Sequence, residues 1–246
     1  ALEGYRNYGP ASWNPAGTQI VSGSDDKTFC ILDVETGESL QILEDHEDSV
    51  LSMAWSPTGT RVMLVGYDGT LRIWDAATGE SLHTLVGHTG DVDALAWSPS
   101  GTHLASASDD TTLRIWDAET GDSIHILERH TGGVSGLDWD PSGTRLASGS
   151  ADNTLRIWDV ATGENLLTLG GYTGRVVTWN PTGTRIASAS DDNTLRIWDA
   201  GTGEDPLILE GHGNWINTIA WHPTGTRLAS ASADNTLRIW DAETGE

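Results

Sequence analysis

Cysteine and positive charge are scarce in this sequence. A single thiol, Cys30, is present among 246 residues, which excludes an internal disulfide framework and fits a reducing compartment. Lys and Arg number 13 against 36 Asp and Glu, for a net charge of −23, and such a surface repels the phosphates of nucleic acids and anionic lipid headgroups. We therefore expect neither a nucleic-acid partner nor a membrane partner.

Long apolar segments are absent as well. No run approaches the roughly 18 to 20 apolar residues that span a bilayer, and residues 1–10 lack the basic and apolar regions of a secretory signal. We therefore expect a cytoplasmic protein. Apolar residues still make up 37% of the chain, and 29 Gly against 8 Pro indicate many tight turns around a core rather than a disordered linker.

One sequence unit recurs along the whole chain. A Trp two residues before a Pro returns at intervals of 42, 42, 42, 40 and 42 residues, which is a period typical of repeat architectures. Its positions are Trp13, Trp55, Trp97, Trp139, Trp179 and Trp221. A Trp-Asp pair follows later in five copies, and Leu32-Asp33 takes its place in the first. The chain therefore contains six repeats.

Turn-forming clusters divide each repeat into four short segments. In the third copy SPSGT, SDDTT and AETGD separate short apolar runs, at a spacing of about ten residues that is typical of hairpin-connected strands. Segments such as 104–107 and 113–116 carry apolar or small side chains on both faces, so both faces of each sheet must be covered. The sequence predicts an all-β fold of four-stranded antiparallel sheets stacked against one another.

The period, the Gly-His pairs such as 87–88 and 211–212, and the Trp-Asp pairs resemble the WD40-repeat β-propeller family. The resemblance covers essentially the whole chain. It implies a single domain over residues 1–246, a six-bladed WD40-type β-propeller of four-stranded antiparallel blades, with the last blade closed weakly by the N-terminus. It also implies a non-enzymatic scaffold that binds a protein or peptide on the face around the central opening.

In this family a His, a Ser or Thr, an Asp and the third-strand Trp form a hydrogen-bonded tetrad within a blade. Such a network satisfies a buried indole, hydroxyl and imidazole together. The resemblance implies three complete tetrads: His88, Ser106, Asp110, Trp116; His130, Ser148, Asp152, Trp158; and His212, Ser230, Asp234, Trp240. Copies one, two and five depart from the pattern through Tyr5 and Leu32, Leu64, and Tyr172 respectively. We expect these copies to be locally weaker.

Three irregularities interrupt the repeat. The fifth copy lacks two residues between Tyr172 and Trp179, and because side chains alternate with a period of two, later residues keep their faces. The first copy lacks one residue before Trp13 and carries Pro10, which predicts a disturbed start to its inner strand. The N-terminal segment that would complete the sixth copy is about four residues short, which predicts an exposed strand edge there and weak self-association.

Catalytic and metal-binding interpretations are not supported. His, Ser and Asp occur together as in nucleophilic triads, but they recur in copy after copy beside a Trp, as structural residues do. The Asp-Asp pairs at 25–26, 109–110 and 191–192 carry carboxylates that point apart in an extended chain, with no further ligand patterned around them. We predict no catalytic residue, no metal site and no cofactor.

Specific function is expected where the repeat is broken. Of the 12 Trp, Trp215 alone lies outside the repeated positions, and Tyr67 and Tyr8 are further aromatic departures. Aromatic side chains beside polar neighbours are typical anchors of protein interfaces, and the resemblance implies that these positions lie on the docking face. The predicted partner-binding set also includes Asp91, Asp93, Asp109, Arg175, Asp191 and Asn217. Its acidity favours a basic partner.

Two other functions fit the same residues. The near-identity of copies three to six is what amplification or design leaves, so a purely structural, self-assembling or engineered repeat protein is one alternative. Glycan binding through the exposed aromatic side chains is the other.

Overall fold

Each repeat folds into one antiparallel sheet, called a blade below. The computed structural model describes residues 11–23, 29–43, 50–66, 70–171, 176–204 and 206–246. These residues form 23 β-strands and no helix, so this part of the chain offers no helix long and apolar enough to cross a membrane.

Blades 1 to 3 have four strands each, in chain order across the sheet. Their strands are β1 (Ala11–Trp13), β2 (Gln19–Gly23), β3 (Phe29–Asp33), β4 (Ser39–Leu43), β5 (Val50–Trp55), β6 (Arg61–Gly66), β7 (Leu71–Asp75), β8 (Ser81–Leu85), β9 (Val92–Trp97), β10 (His103–Ser108), β11 (Leu113–Asp117) and β12 (Ser123–Leu127).

Blades 4 and 5 also have four strands, whereas blade 6 has three among the described residues. Their strands are β13 (Val134–Trp139), β14 (Arg145–Ser150), β15 (Thr154–Asp159), β16 (Asn165–Gly170), β17 (Val177–Trp179), β18 (Arg185–Ala189), β19 (Leu195–Asp199), β20 (Leu207–Leu209), β21 (Ile216–Trp221), β22 (Arg227–Ser232) and β23 (Leu237–Asp241).

The hairpins within a blade depend on residues that tolerate left-handed backbone. In blade 4 the turn from β13 to β14 closes with a hydrogen bond from the Gly143 amide to the Asp140 carbonyl at 2.9 Å, and Gly143 has φ of 72°. The next turn places Asn153 at φ of 67°, a conformation that Asn adopts more readily than most residues. These turns set the register that pairs Leu146 with Trp158.

The turn after the third strand is held by the Asp of the Trp-Asp pair. In blade 3 the Asp117 carboxylate accepts backbone hydrogen bonds from Glu119 and Thr120, both at 2.8 Å. Hydrogen bonds from the backbone amide of the Thr three residues ahead are the main cause that lowers the pKa of this carboxyl in every blade. The six residues are Asp33, Asp75, Asp117, Asp159, Asp199 and Asp241.

The chain divides into two compact units, residues 1–105 with 115–124 and residues 106–114 with 125–246. In the first unit, apolar residues of β2, β3 and β4 pack against β5, β6 and β7, so that blades 1 and 2 share one core. Blade 2 then packs through Leu71 and Ile73 against Trp97, Leu104 and Trp116.

The second unit repeats this arrangement. Blade 4 packs through Leu155 and Ile157 against Trp179 and Trp198 of blade 5, and blade 5 packs in the same way against blade 6. The core therefore lies between sheets, as the apolar residues on both faces of each strand predict.

The effect of the two-residue deletion in the fifth copy is confirmed. Strand β17 has only three residues, yet Trp179 pairs with Ile186 just as Trp139 pairs with Leu146 in blade 4. Within the described residues the sheet of the sixth copy ends at β23. The N-terminal segment expected to complete this sheet and Pro10 both lie outside the described residues, so the exposed edge and the disturbed first inner strand stay predictions.

Candidate functional site

The predicted tetrad of blade 4 is a continuous hydrogen-bonded chain. Trp158 Nε1 donates to Ser148 Oγ at 2.8 Å, and His130 lies between Ser148 Oγ and the Asp152 carboxylate, at 2.8 Å from each. Because a carboxylate only accepts, His130 Nδ1 carries the proton and Nε2 accepts from the Ser148 hydroxyl. The indole, hydroxyl, imidazole and carboxylate of this tetrad therefore all have hydrogen-bond partners.

The pKa shifts in this blade follow from its geometry. Burial lowers the pKa of His130, because the charged imidazolium loses solvation, and this outweighs the attraction of Asp152. Burial also acts to raise the pKa of Asp152, but hydrogen bonds from Thr154, from the Thr131 amide and from His130 prevail and lower it to about 2. The network holds a neutral His beside an ionised Asp.

Blade 6 repeats the network with the same geometry. His212 lies 2.8 Å from the Asp234 carboxylate and 2.7 Å from Ser230 Oγ, which accepts from Trp240 Nε1 at 2.9 Å. A hydrogen bond from the Thr236 side chain is the main cause of a strongly lowered pKa at Asp234. In both blades the Ser is almost fully buried, so its hydroxyl is not presented to a substrate.

In blade 3 the structure places the His88 ring edge-on to Trp116, with ring centroids 6.4 Å apart, close to the 6.0 Å and 5.9 Å of blades 4 and 6. Asp110 accepts from the Thr112 amide at 2.9 Å, and Ser106 is fully buried. The side-chain setting thus matches that of the two described networks.

The departing blades differ in how their Trp is satisfied. Trp198 of blade 5 still donates to Ser188 Oγ at 3.0 Å. In blade 2 the Ser position is occupied by Leu64, and within the described part of the chain the buried Trp74 Nε1 has no hydrogen-bond partner. In blade 1 the buried Leu32 replaces this Trp, so no indole N–H needs a hydrogen-bond partner there. Tyr5 and Tyr172 lie outside the described residues.

The structure brings three of the predicted partner-binding residues into one cavity. Trp215, Asp191 and Asn217 line a space of about 580 Å³, and the Trp215 side chain is 66% exposed. The backbone carbonyl of Trp215 accepts from Ala233 at 2.8 Å, so the base of this aromatic side chain is fixed while its ring faces solvent. We call this space the Trp215 cavity.

The remaining walls of the Trp215 cavity were not predicted from the sequence. They are formed by Val176, Ala189, Ser190 and Ile216. In blade 4 the Ala151 amide donates to the Gly133 carbonyl at 2.9 Å, and in blade 5 the Ala189 amide donates to the Val176 carbonyl at 3.0 Å. The cavity lies beside Val176, just before the three-residue inner strand β17 of blade 5. The two-residue deletion was the available signal.

The other predicted residues do not join this cavity. Asp91, Asp93 and Asp109 are exposed but do not line it. Tyr8, Tyr67 and Arg175 lie outside the described residues. Among the residues that the structure describes, no group of three or more His, Cys, Asp or Glu side chains is placed to hold a metal ion.

One buried carboxylate lies away from the Trp215 cavity. Asp138 Oδ2 accepts a hydrogen bond from the Trp179 amide at 2.7 Å, across the packed blades 4 and 5. Burial raises its pKa to about 6, because the loss of solvation outweighs the hydrogen bonds from Trp179, Thr178 and Trp139. Ala54 occupies the same position in blade 2.

Comparison with known families agrees with the repeat seen in the sheets. The family described as WD domain, G-beta repeat, or WD40, matches six segments that together cover most of the chain: residues 11–33, 37–75, 79–117, 121–159, 163–199 and 203–241. Each segment runs from an outer strand, or from the start of the described chain, through the three strands that follow. No significant match to a curated protein is found.

Proposed function

Because this chain belongs to the WD40 family, whose repeats generally mediate protein interactions as scaffolds, we propose that it binds a protein or peptide segment at the Trp215 cavity. The all-β fold of six WD40 blades agrees with this family. Propellers of the family are typically non-enzymatic, and we propose the same of this chain.

The exposure of Trp215 is the observation that carries the proposal. At 66% exposure it is more exposed than any other Trp; those of blades 2 to 5 are at most 9% exposed, and Trp13 of blade 1 is 56% exposed. A large aromatic surface left in water at the mouth of a cavity gains most from being covered by a partner.

The polar groups around the cavity indicate the chemistry of the partner. Asp191 is an exposed carboxylate at the rim, and Asn217 supplies an amide that can donate and accept. A Lys or Arg side chain can lie over the Trp215 ring while its charged end faces Asp191. Val176 and Ile216 offer an apolar floor. We therefore propose a segment with a basic residue next to an apolar one.

Peptide display against the full chain tests this function. We expect the selected peptides to combine Lys or Arg with an apolar neighbour, and Trp215→Ala to weaken their binding by at least about tenfold, because aromatic anchors dominate such interfaces. Asp191→Asn should weaken binding less and should reduce its dependence on salt. Affinities are measured by calorimetry at two salt concentrations.

Val86→Ala is the matched control, since Val86 is 78% exposed and does not line the cavity. It should leave peptide affinity unchanged. Equal affinity of Trp215→Ala and the wild type would contradict the proposed site. Retention of the chain on a carbohydrate array, with no peptide selected, would instead favour glycan binding.

A further inference from the structure

Trp215 of blade 6 and Gly133 of blade 4 occupy the same position of the repeat. The Trp215 carbonyl accepts a hydrogen bond from the Ala233 amide at 2.8 Å, and the Gly133 carbonyl accepts one from the Ala151 amide at 2.9 Å. In each blade a Ser hydroxyl also donates to the carbonyl of the preceding residue, at 2.8 Å in both. The backbone is therefore held in the same way in the two blades, and the difference between them lies in the side chain.

A turn of the preceding blade lies beside each of these residues. Asp191 of blade 5 lines the cavity together with Trp215, and Asp109 of blade 3, at the same position of the repeat, lies beside Gly133. In both turns the residue two positions later has left-handed backbone, with φ of 72° in blade 3 and 67° in blade 5. The two turns thus have the same conformation and meet different side chains.

The side chain at this position sets how closely the two blades approach. A Cβ atom at Gly133 would overlap Asp109 Oδ1 and would lie 3.3 Å from Asp109 Cα, so Asp109 fills the space in which a side chain would begin. Gly133 is not among the glycines with positive φ, so its backbone does not require glycine. Where Trp215 stands instead, it and Asp191 line an open space of about 580 Å³.

The other residues that line the Trp215 cavity have counterparts in blades 3 and 4. Three of the six are identical, and the other three keep their apolar or polar character. The pairs are Ala189 and Ala107, Ser190 and Ser108, Asp191 and Asp109, Ile216 and Val134, Asn217 and Ser135, and Val176 and Ala94. The change from Trp215 to Gly133 is therefore the one that alters the character of the lining.

We infer that the side chain at this position decides whether a blade interface opens as a binding cavity, so that blades 3 and 4 hold a second, closed copy of the Trp215 cavity. Asp109 closes this copy by packing on Gly133. Trp215 then acts twice, as the surface that a partner covers and as the group that keeps Asp191 away from the loop of blade 6. The partner of the second copy, a segment with a basic residue, rests on the proposed function, whereas its opening does not.

Calorimetry with a peptide selected on the wild type counts the sites. Gly133→Trp should bind one more peptide per chain than the wild type, because the new indole displaces the Asp109 side chain and opens the second copy. Adding Trp215→Ala to this variant should return the count to that of the wild type, with an affinity within about tenfold of it. Gly133→Ala is the matched control. It displaces the Asp109 carboxylate without supplying an aromatic ring, so its count should equal that of the wild type.

A crystal structure of Gly133→Trp separates this inference from the proposed function. We expect the Asp109 side chain to be turned away from residue 133, with open space between it and the new indole. If no peptide binds the wild type, the proposed function fails, and this structure still decides the inference. An interface that stays closed overturns it, and open space supports it.

Trp215→Gly gives the same test without adding volume, in case Gly133→Trp does not fold. Asp191 should pack on the backbone of residue 215 as Asp109 packs on Gly133, and peptide binding should fall below the level left by Trp215→Ala. A crystal structure in which Asp191 keeps its place would overturn the inference. So would an unchanged peptide count in Gly133→Trp once its thermal unfolding shows that the variant is folded.

Discussion

Blades 2 and 4 have the same four strands in the same order but differ in what lies at the centre of the sheet. In blade 4 Ser148 links Trp158 to His130. In blade 2 Leu64 fills the Ser position and Trp74 Nε1 is left without a partner among the described residues. Both blades pair their strands fully, so the tetrad is not what makes a repeat fold into a blade.

The energies of the two arrangements are of similar size. A buried donor without a partner costs about 1 to 3 kcal/mol, and burying a Leu side chain contributes about 1.5 to 3 kcal/mol. Leu64 is fully buried, so its burial offsets the unsatisfied indole. Blade 4 has hydrogen bonds in the place of this apolar burial, so the loss of one group leaves its buried partners unsatisfied.

Removing the central hydroxyl of blade 4 should have the largest effect. Ser148→Ala leaves two buried groups, Trp158 Nε1 and His130 Nε2, without partners, and should lower the free energy of unfolding by about 3 kcal/mol. Ser188→Ala in blade 5, where the described bond is from Trp198 alone, should cost about half as much. Denaturant unfolding of both variants measures this, and equal losses would contradict the network interpretation.

Replacing Asp152, the carboxylate that accepts hydrogen bonds in the blade 4 network, should have the second largest effect on stability. Asp152→Asn keeps the shape but loses the charge that His130, Thr131 and Thr154 bind, and should cost about 2 kcal/mol at pH 7. Because the folded pKa is lowered to about 2 from 3.8, the wild type has this stabilisation above pH 3.8 and loses it as pH falls toward 2. Unfolding followed across pH 2 to 4 should show a smaller loss in the variant than in the wild type, because the variant lacks only the part that Asp152 contributes.

Asp138 should make the free energy of unfolding fall as pH rises, which is the opposite of the effect of Asp152. Blade 2 has Ala54 at this position and should lack the effect. The folded pKa of Asp138 is raised to about 6 from 3.8, so its contribution is greatest below pH 3.8 and disappears as pH rises through 6. Between pH 5 and pH 8 the free energy of unfolding should fall by about 1 kcal/mol through this group. Asp138→Asn should remove that part of the slope, and an unchanged slope would show that Asp138 is not its source.

The smallest effect should come from restoring the hydroxyl in blade 2. Leu64→Ala and Leu64→Ser both create a cavity, but Ser can accept from Trp74 Nε1. We therefore expect Leu64→Ser to be more stable than Leu64→Ala by about 1 kcal/mol, whereas a hydroxyl in a purely apolar site is the worse choice. Thermal unfolding of the two variants decides which order holds.

The number of sheets and their turns could be predicted because the residues that set them are local. Residues such as Gly143 and Asn153 adopt left-handed backbone in the turns of their blade. The recurring Trp marks the end of each inner strand. The exposure of Trp215 could be predicted too, because polar or small residues occupy the same position in other copies.

The rest depends on contacts between blades that the sequence does not reveal. Alternation shows that a two-residue deletion keeps side chains on their faces, but not that Val176 and Ala189 of blade 5 line a cavity together with Trp215 of blade 6. Asp138 is recognisable as a carboxylate where other copies have small residues, but its burial comes from the neighbouring blade. Trp13 likewise matches its equivalents in sequence and differs from them only in exposure.

The Asp that closes the third turn of each blade has a consequence for the behaviour of the protein in acid. Composition alone gives an isoelectric point of about 4.4. Six aspartates, one per blade, titrate below their ordinary pKa of 3.8, so the folded protein should focus below pH 4.4. Mutual repulsion between copies should then persist in weakly acidic solution and favour solubility there.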